Sequence, residues 1–203
     1  MAIKNIVFDL GGVLLNLDMQ RTHRAFENIG VKDVAALFNI GHAASYFKDY
    51  EVGAITDNEF VQAIKKHGGL NVEDAAVIDA WNALLLDFPE ERIELLRKLK
   101  DKYRIFLFSN TNAIHLDDFR RKYTNAYGGS LDDHFEIAWY SHLIGLRKPS
   151  VESFQYILND GKLDAAETMF IDDALVNVEG ANATGIKGVH LEPGKTILDL
   201  GLL

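Results

Sequence analysis

Short apolar runs separated by helix-like stretches are the feature of this sequence that most restricts its fold. The first, IKNIVF, covers residues 3–8 and is followed by Asp9 and, two residues later, by a glycine pair. Comparable runs occupy residues 104–109, 135–140, 168–172 and 187–191. The stretches at 89–103 and 149–161 each start with Pro and repeat apolar residues at helical spacing. This alternation predicts an α/β fold, a doubly wound parallel sheet of the Rossmann type.

The segment between residues 17 and 87 breaks the alternation. Its sequence contains no strand-like run, and it indicates amphipathic helices at 21–30, 31–41, 56–69 and 72–86. We therefore expect an α-helical insertion after the first strand. The predicted domains are an α/β core made of residues 1–16 and 88–203, and a helical domain made of residues 17–87.

Charge and composition restrict the partners. The formal net charge is -9, which argues against a sequence-independent nucleic-acid binder, because such a protein needs a basic face. The chain contains no Cys, so disulfides, thiolate catalysis and cysteine zinc sites are excluded. No basic and apolar leader and no apolar run of membrane length is visible, so a cytoplasmic protein without a membrane partner is expected. The sequence does not indicate an oligomeric state.

Polar side chains follow several of the apolar runs. In parallel sheets, ligands bind beyond the carboxyl ends of the strands. The residues found there, or in the loop GLRKPS, are Asp9, Ser109, Asn110, Lys148, Asp172 and Asp173. Each alone is explained as a helix cap, a turn residue or a surface charge. A functional site accounts for all of them at once.

Phosphoryl transfer needs this set of groups. Asp9 and Asp173 provide the hard oxygen ligands that Mg²⁺ prefers. Lys148 neutralises the charge of a carboxylate and a phosphate brought together, and Ser109 with the backbone of Asn110 donates hydrogen bonds to phosphoryl oxygens. An Asp9 oxygen is then placed to attack phosphorus and form an aspartyl-phosphate.

The chain resembles a known family at these positions. The segments FDLGGVL, LFSNTN, GLRKPSVESF and FIDDALVNVEGANATG resemble, in order, the four motifs of the haloacid dehalogenase (HAD) superfamily. The resemblance covers nearly the whole chain, and the helical insertion resembles the C1 cap that closes over the site and selects the substrate. NLDMQRTHRAFE and YEVGAITDNEF resemble the bacterial subgroup that contains α-D-glucose-1-phosphate phosphatase, whose first motif also reads DLG.

The resemblance implies a role for each matching residue. Asp9 would be the nucleophile, and Ser109 with Asn110 would form the phosphate-binding second motif. Lys148 would be the third motif, and Asp173 would bind Mg²⁺ together with Asp9.

Two neighbours of this set would act indirectly. Asp172 would support the metal ligand beside it. Asn177 lies where many members carry a further acid, and we expect it to be an indirect partner of the metal's water or of the lysine.

Gly11 departs from the family pattern. Most phosphatases of the superfamily carry there, two residues after the nucleophile, an Asp that acts as general acid and then as base. Such help is worth about 10²- to 10⁴-fold in rate, and glycine has no side chain to give it. In the family this residue also gives its backbone carbonyl to Mg²⁺, and Gly11 keeps that carbonyl, so it is a predicted metal ligand.

Three consequences of the missing acid are open. In the first, the leaving group needs little protonation, as at the anomeric carbon of a hexose 1-phosphate. In the second, the acid is replaced by an ordered water or by one of Asp18, His23, His42 and Glu51. In the third, the protein binds phosphate compounds without turnover. The expected function is Mg²⁺-dependent hydrolysis of a small phosphorylated substrate, a sugar phosphate such as a hexose 1-phosphate. The expected cap contacts with substrate are Asp18, Arg21 and Glu51.

Two other functions are considered. A metal-independent 2-haloacid dehalogenase is disfavoured because Asp172 and Asp173 would repel a carboxylate substrate without Mg²⁺ between them. A non-catalytic module that binds a phosphometabolite or a partner is supported by Gly11 alone. The remaining histidines show no metal-ligand spacing and are expected at the surface or in loops: His67, His115, His134 and His190.

Overall fold

Every strand pairing of the sheet is parallel. The computed structural model describes residues 2–203 and contains a five-stranded sheet with the order β3-β2-β1-β4-β5. The strands are β1 (Asn5–Phe8), β2 (Arg104–Ser109), β3 (Ala138–Tyr140), β4 (Thr168–Asp172) and β5 (Lys187–His190). This is the predicted doubly wound α/β fold, although β3 is shorter than the apolar run that predicted it.

The central position of β1 decides where the polar strand ends meet. All four residues of β1 are buried, which explains the apolar run at residues 6–8, and the buried Asn5 donates a hydrogen bond to Thr168 Oγ1 (3.1 Å). Phe8 pairs with Leu107 on one side and with Ile171 on the other. The residues that follow β1, β2 and β4 therefore lie next to one another at one edge of the sheet.

Helices connect the strands and form the insertion after β1. The insertion, which we define as residues 19–82, contains α1 (Met19–Asn28), α2 (Val34–Ala43), α3 (Tyr46–Glu51), α4 (Asp57–Gly68) and α5 (Asp74–Asn82). The remaining helices are α6 (Glu90–Leu99), α7 (Ala113–Tyr127), α8 (Ser141–Ile144), α9 (Val151–Asp160) and α10 (Leu175–Asn182). Short 3₁₀ segments cover Leu131–His134, Ala165–Glu167 and Ile197–Leu200. None of the helices described between residues 2 and 203 is long and apolar enough to cross a membrane.

The insertion contains one helix that the sequence did not predict. The helix α3 has six residues, which is too short to show a clear periodicity, but its Tyr46, Phe47 and Tyr50 are buried. The second predicted helix begins later than expected, at Val34, because the Asp33 side chain accepts a hydrogen bond from the Ala36 N–H and caps it.

The insertion has a hydrophobic cluster of its own. Phe26, Phe60 and Val77 belong to it, and apart from Ile114 of α7 its buried members come from residues 26–80. Two other clusters, one including Phe8 and Leu96 and the other including Phe106 and Phe154, pack around the sheet. This separation supports the division at residues 17 and 87, which stays a prediction.

The helix α6 gives a direct test of the sheet core. Leu96 is completely buried, and we expect Leu96→Ala to lower the free energy of unfolding by about 2–5 kcal/mol, because it removes buried methyl groups and leaves a cavity. Urea denaturation measures the change. Leu198→Ala, at a half-exposed leucine, should cost less than about 0.5 kcal/mol, and equal losses in both variants would contradict the placement of α6.

Candidate active site

A buried lysine joins two acidic strand ends. Lys148 Nζ donates hydrogen bonds to Asp9 Oδ1 (2.6 Å) and to Asp172 Oδ2 (2.7 Å), and its side chain is 1% exposed. Asp9 directly follows β1, and Asp172 is the last residue of β4. One carboxylate oxygen from each of Asp9, Asp172 and Asp173 lies within 4.8 Å of the others. The structure thus brings together acidic and basic groups that are far apart in the sequence.

Burial controls the ionisation of these groups. It raises the pKa of the Asp9 carboxyl to about 7, although the Lys148 ammonium acts in the opposite direction. Desolvation by itself would lower the pKa of Lys148, but Asp9 and Asp172 outweigh it, and the net shift is upward. Burial, followed by the charge of Asp172, also raises the pKa of Asp173. Lys148 therefore stays protonated.

The charge balance of the cluster fits a divalent cation. When ionised, three carboxylates face one ammonium group, so negative charge is in excess at a largely buried place. Oxygen ligands at this spacing suit Mg²⁺, which keeps several of its coordination positions for water and substrate phosphate. The residues present therefore fit the magnesium ion that the sequence predicts.

Asp172 is held in place by its neighbours. Its Oδ1 accepts a hydrogen bond from the Ala174 N–H (2.8 Å), and Asn177 Nδ2 lies 3.1 Å from each of its oxygens. Lys148 Nζ also donates a hydrogen bond to Asp172 Oδ2. Asn177 consequently reaches Lys148 only through Asp172, and Asp172 is better placed to orient its neighbours than to bind an ion.

The side chain of Asn110 fixes the lysine loop. Asn110 Nδ2 donates to the Lys148 carbonyl (3.0 Å), and its Oδ1 accepts from the Lys148 N–H (2.9 Å). These two bonds engage both polar atoms of the Asn110 side chain, and a ligand contact through its backbone stays a prediction. Ser109, the last residue of β2, is buried beside it and lines the same cavity.

The two glycines after Asp9 have different surroundings. Gly12 has φ +73°, and a Cβ there would lie 2.3 Å from Asp173 Oδ2, so glycine is required both by the backbone and by this close approach. A Cβ at Gly11 would lie 2.8 Å from Leu17 Cδ1. The space in which an acidic side chain would begin is therefore taken by the end of a leucine. Neither Gly12 nor Leu17 was among the site residues predicted from the sequence.

A cavity of about 260 Å³ connects this edge of the sheet with the insertion. It reaches Gly11, Ser109 and Asn110. Much of its wall is apolar, with Leu17, Met19, Phe38, Phe47, Trp81 and Leu85 among its members. The polar side chains contributed by the insertion and the start of α7 are Thr22, His42, Glu51, Asn112 and His115.

The residues predicted to contact substrate or to replace the acid fall into two groups. Glu51 and His42 line the cavity, and Glu51 Oε2 forms an ion pair with Arg147 Nε (2.8 Å). Asp18 caps α1 by accepting from the Gln20 N–H (2.9 Å), and it lies 3.6 Å from Arg21. Asp18, Arg21 and His23 are absent from the described cavity wall. The geometry therefore does not support the predicted roles of these three residues. Asp18 in addition already serves as the N-cap of α1.

His115 lines the cavity and lies in a helix. The prediction that it lies at the surface or in a loop is wrong. His115 is in the first turn of α7, where its ring stacks on Trp81 with centroids 4.9 Å apart. Its Nε2 lies 3.2 Å from the Trp81 carbonyl, and burial lowers its pKa to about 4, so the ring is neutral. Its position just after LFSNTN, at the polar edge of the sheet, was the signal that could have identified it.

The parallel sheet and its lysine-bridged acidic edge are typical of a hydrolase with a Rossmann-type core and a helical insertion. A family model described as haloacid dehalogenase-like hydrolase matches residues 3–185. The chain therefore belongs to the haloacid dehalogenase-like hydrolase family, as its motifs predicted.

Known relatives agree with this assignment. The structure of the HAD family enzyme bt-2542 from Bacteroides thetaiotaomicron superposes with a TM-score of 0.92 at 34% identity, covering 98% of both chains. The same enzyme has been solved in complex with magnesium and inorganic phosphate (TM-score 0.91, 34% identity, 98% and 100% covered). A D-ribitol-5-phosphate phosphatase of the same organism is 26% identical over 95% of this chain and 93% of its own. The sesquiterpene phosphatase astK of Aspergillus oryzae is 28% identical over 93% and 89%.

The lysine bridge gives a prediction for stability. In a chelator, Lys148→Met should lower the free energy of unfolding by about 3–5 kcal/mol, because it leaves Asp9 and Asp172 buried without their partner. Chemical denaturation measures this loss. Lys32→Met, at an exposed lysine, is the matched control, and a similar small change in both variants would contradict the bridge.

Proposed function

We propose that this protein is a Mg²⁺-dependent phosphatase that hydrolyses a small phosphomonoester through an aspartyl-phosphate on Asp9. The observation that carries the proposal is the buried Lys148 ammonium between Asp9 and Asp172, with the Asp173 carboxylate nearby. The phosphatases among its relatives, and the magnesium and phosphate bound to the related Bacteroides enzyme, support it.

The first chemical step belongs to Asp9. Lys148 binds its Oδ1 and leaves Oδ2 to attack phosphorus, so that the Oδ2–P bond forms as the bond from phosphorus to the leaving oxygen breaks. Lys148 limits the repulsion between the carboxylate and the incoming phosphate. Ser109 Oγ and the backbone N–H of Asn110 donate hydrogen bonds to the phosphoryl oxygens. Water then attacks phosphorus, which releases phosphate and regenerates Asp9.

The metal would be held by Asp9, Asp173 and the carbonyl of Gly11. When bound, Mg²⁺ supplies positive charge that offsets the phosphoryl oxygens during transfer. Asp172 and Asn177 would keep their neighbours oriented, since Asp172 is already bonded to Lys148 and to the amide of Asn177.

A sugar phosphate such as a hexose 1-phosphate is the finer proposal that the sequence favours. It is supported by the DLG form of the first motif, by the relative that acts on a pentitol phosphate, and by the weak basicity of an anomeric leaving oxygen where Gly11 offers no acid. A cytoplasmic location stays a prediction.

The other two functions fit the geometry less well. Dehalogenation without metal would place a substrate carboxylate beside the excess negative charge of Asp172 and Asp173. A binding module without turnover would have no need to keep Asp9 and Lys148 in contact.

Hydrolysis measured on a panel of phosphomonoesters tests the proposal. We expect turnover with Mg²⁺, loss of turnover with a chelator and recovery when Mg²⁺ is added back. Asp9→Asn and Asp173→Asn should each lower kcat/KM by at least about 10³-fold, because they remove the nucleophile and a metal ligand. Asp101→Asn, at an exposed aspartate, is the matched control. Halide release from 2-haloacids that resists the chelator would overturn the proposal.

The missing acid can be restored by substitution. In a Leu17→Ala background, which makes room for a side chain, Gly11→Asp should raise kcat/KM for alkyl phosphates by about 10²-fold and for hexose 1-phosphates by far less. Gly11→Asn in the same background controls for size, since it carries no titratable proton. Equal effects on both kinds of substrate would contradict the assignment of the missing group.

A further inference from the structure

Leu17 stands where a leaving group would meet its proton donor. Gly11 follows Asp9 by two residues, and a Cβ at Gly11 would lie 2.8 Å from the Leu17 terminal methyl. Both residues line the cavity, and Leu17 is 39% exposed. A leaving oxygen placed beside Gly11 would therefore meet the hydrocarbon of Leu17 and no acidic side chain from this position.

Three polar side chains of the cavity wall, Thr22, Asn112 and His115, are already bonded within the protein. Thr22 Oγ1 donates to the Trp81 carbonyl (3.4 Å), which also lies 3.2 Å from His115 Nε2. Asn112 Oδ1 accepts from the His115 N–H (3.0 Å).

The two polar side chains contributed by α2 and α3 differ, because Glu51 is ion-paired and His42 makes an aromatic contact. Glu51 is paired with Arg147, and the His42 ring packs edge-on against Phe47 with centroids 5.1 Å apart. Four of the five polar side chains that the insertion and the start of α7 contribute are thus committed, so a polyol in this cavity would lose hydrogen bonds to water and regain only part of them.

The apolar part of the wall suits a flat ring. Phe47 and Trp81 are stacked, with centroids 5.4 Å apart and an interplanar angle of 26°, and Phe38 lies 6.2 Å from Trp81. Aromatic rings bind to such surfaces by burial of apolar area and by offset or edge contacts. A volume of about 260 Å³ lies just below the usual range for ligand pockets, so it suits a small ring and not a nucleotide.

We propose that the preferred substrate is an aryl phosphomonoester, in which the leaving group is a small phenol. This rests on the proposed phosphatase function and takes the place of hexose 1-phosphate as the favoured substrate. In the transfer step the Asp9 Oδ2–P bond forms, the P–O bond to the ring breaks, and the electron pair stays on the phenolate oxygen. The phenolate then takes a proton from water. A phenol has a pKa of about 10, against about 16 for a group as basic as hydroxide, so a phenolate leaves without an acid far more readily.

The experiment compares three substrates by kcat/KM, which reports the step that transfers the phosphoryl group to Asp9. Phenyl and benzyl phosphate share a ring but differ in the basicity of the leaving oxygen, and glucose 1-phosphate replaces the ring by a polyol. We expect phenyl phosphate to exceed benzyl phosphate by at least about 10²-fold. It should exceed glucose 1-phosphate by at least about tenfold.

Variants of the wall separate recognition of the ring from its reactivity. Leu17→Asn should raise KM for phenyl phosphate about tenfold and change KM for glucose 1-phosphate less than about twofold, because it removes apolar contact area. Met19→Gln, at another partly exposed wall residue, should act in the same direction. Leu198→Asn, at a half-exposed leucine outside the cavity, should leave both constants unchanged.

The possible results distinguish the two proposals. If no substrate is hydrolysed faster than by Asp9→Asn, the phosphatase function itself fails. If turnover depends on Asp9 but glucose 1-phosphate equals or exceeds phenyl phosphate, the aryl proposal is overturned and the phosphatase function stands. Equal kcat/KM for phenyl and benzyl phosphate, or an unchanged KM for phenyl phosphate in both wall variants, also overturns the aryl proposal.

Discussion

The site depends on one buried ammonium group shared by two carboxylates. Lys148 is 1% exposed, and its hydrogen bonds to Asp9 and Asp172 offset the cost of burying all three charges. These acids belong to neighbouring strands, so the same contact ties β1 to β4 at the edge where a substrate would bind. The backbone of Lys148 is in turn fixed by the side chain of Asn110 at the end of β2. A single loop thus connects three strand ends.

The order of the sheet makes this connection possible. Because β1 is central, with β2 and β4 on either side, Asp9 has a hydrogen-bonding amide in one direction and an acidic pair in the other. Gly12 lets the chain turn away while Asp173 approaches within a distance that any side chain would prevent. The insertion then adds an aromatic wall next to Gly11, so that the acidic edge and the apolar cavity wall come from separate parts of the chain.

The sequence predicted the parts of the molecule that depend on local patterns. Apolar runs that end in polar residues identified the strands and placed Asp9, Ser109 and Asp172 at one edge. It missed what depends on packing between distant segments. The six residues of α3 are too few to show a period, and the contact of Leu17 with Gly11 involves a side chain with no chemical signature. His115 is stacked on Trp81 of α5, which lies far from it in the sequence, and Asp18 caps a helix.

Detection of a phosphoryl group on Asp9 tests the central claim most directly. The protein would be mixed with phenyl phosphate and Mg²⁺, quenched in acid during turnover, digested and analysed by mass spectrometry. The account predicts a phosphoryl group on the peptide that contains Asp9, at the side chain of that residue. Steady release of phosphate with Asp9 unmodified and a phosphoryl group on another residue would contradict it.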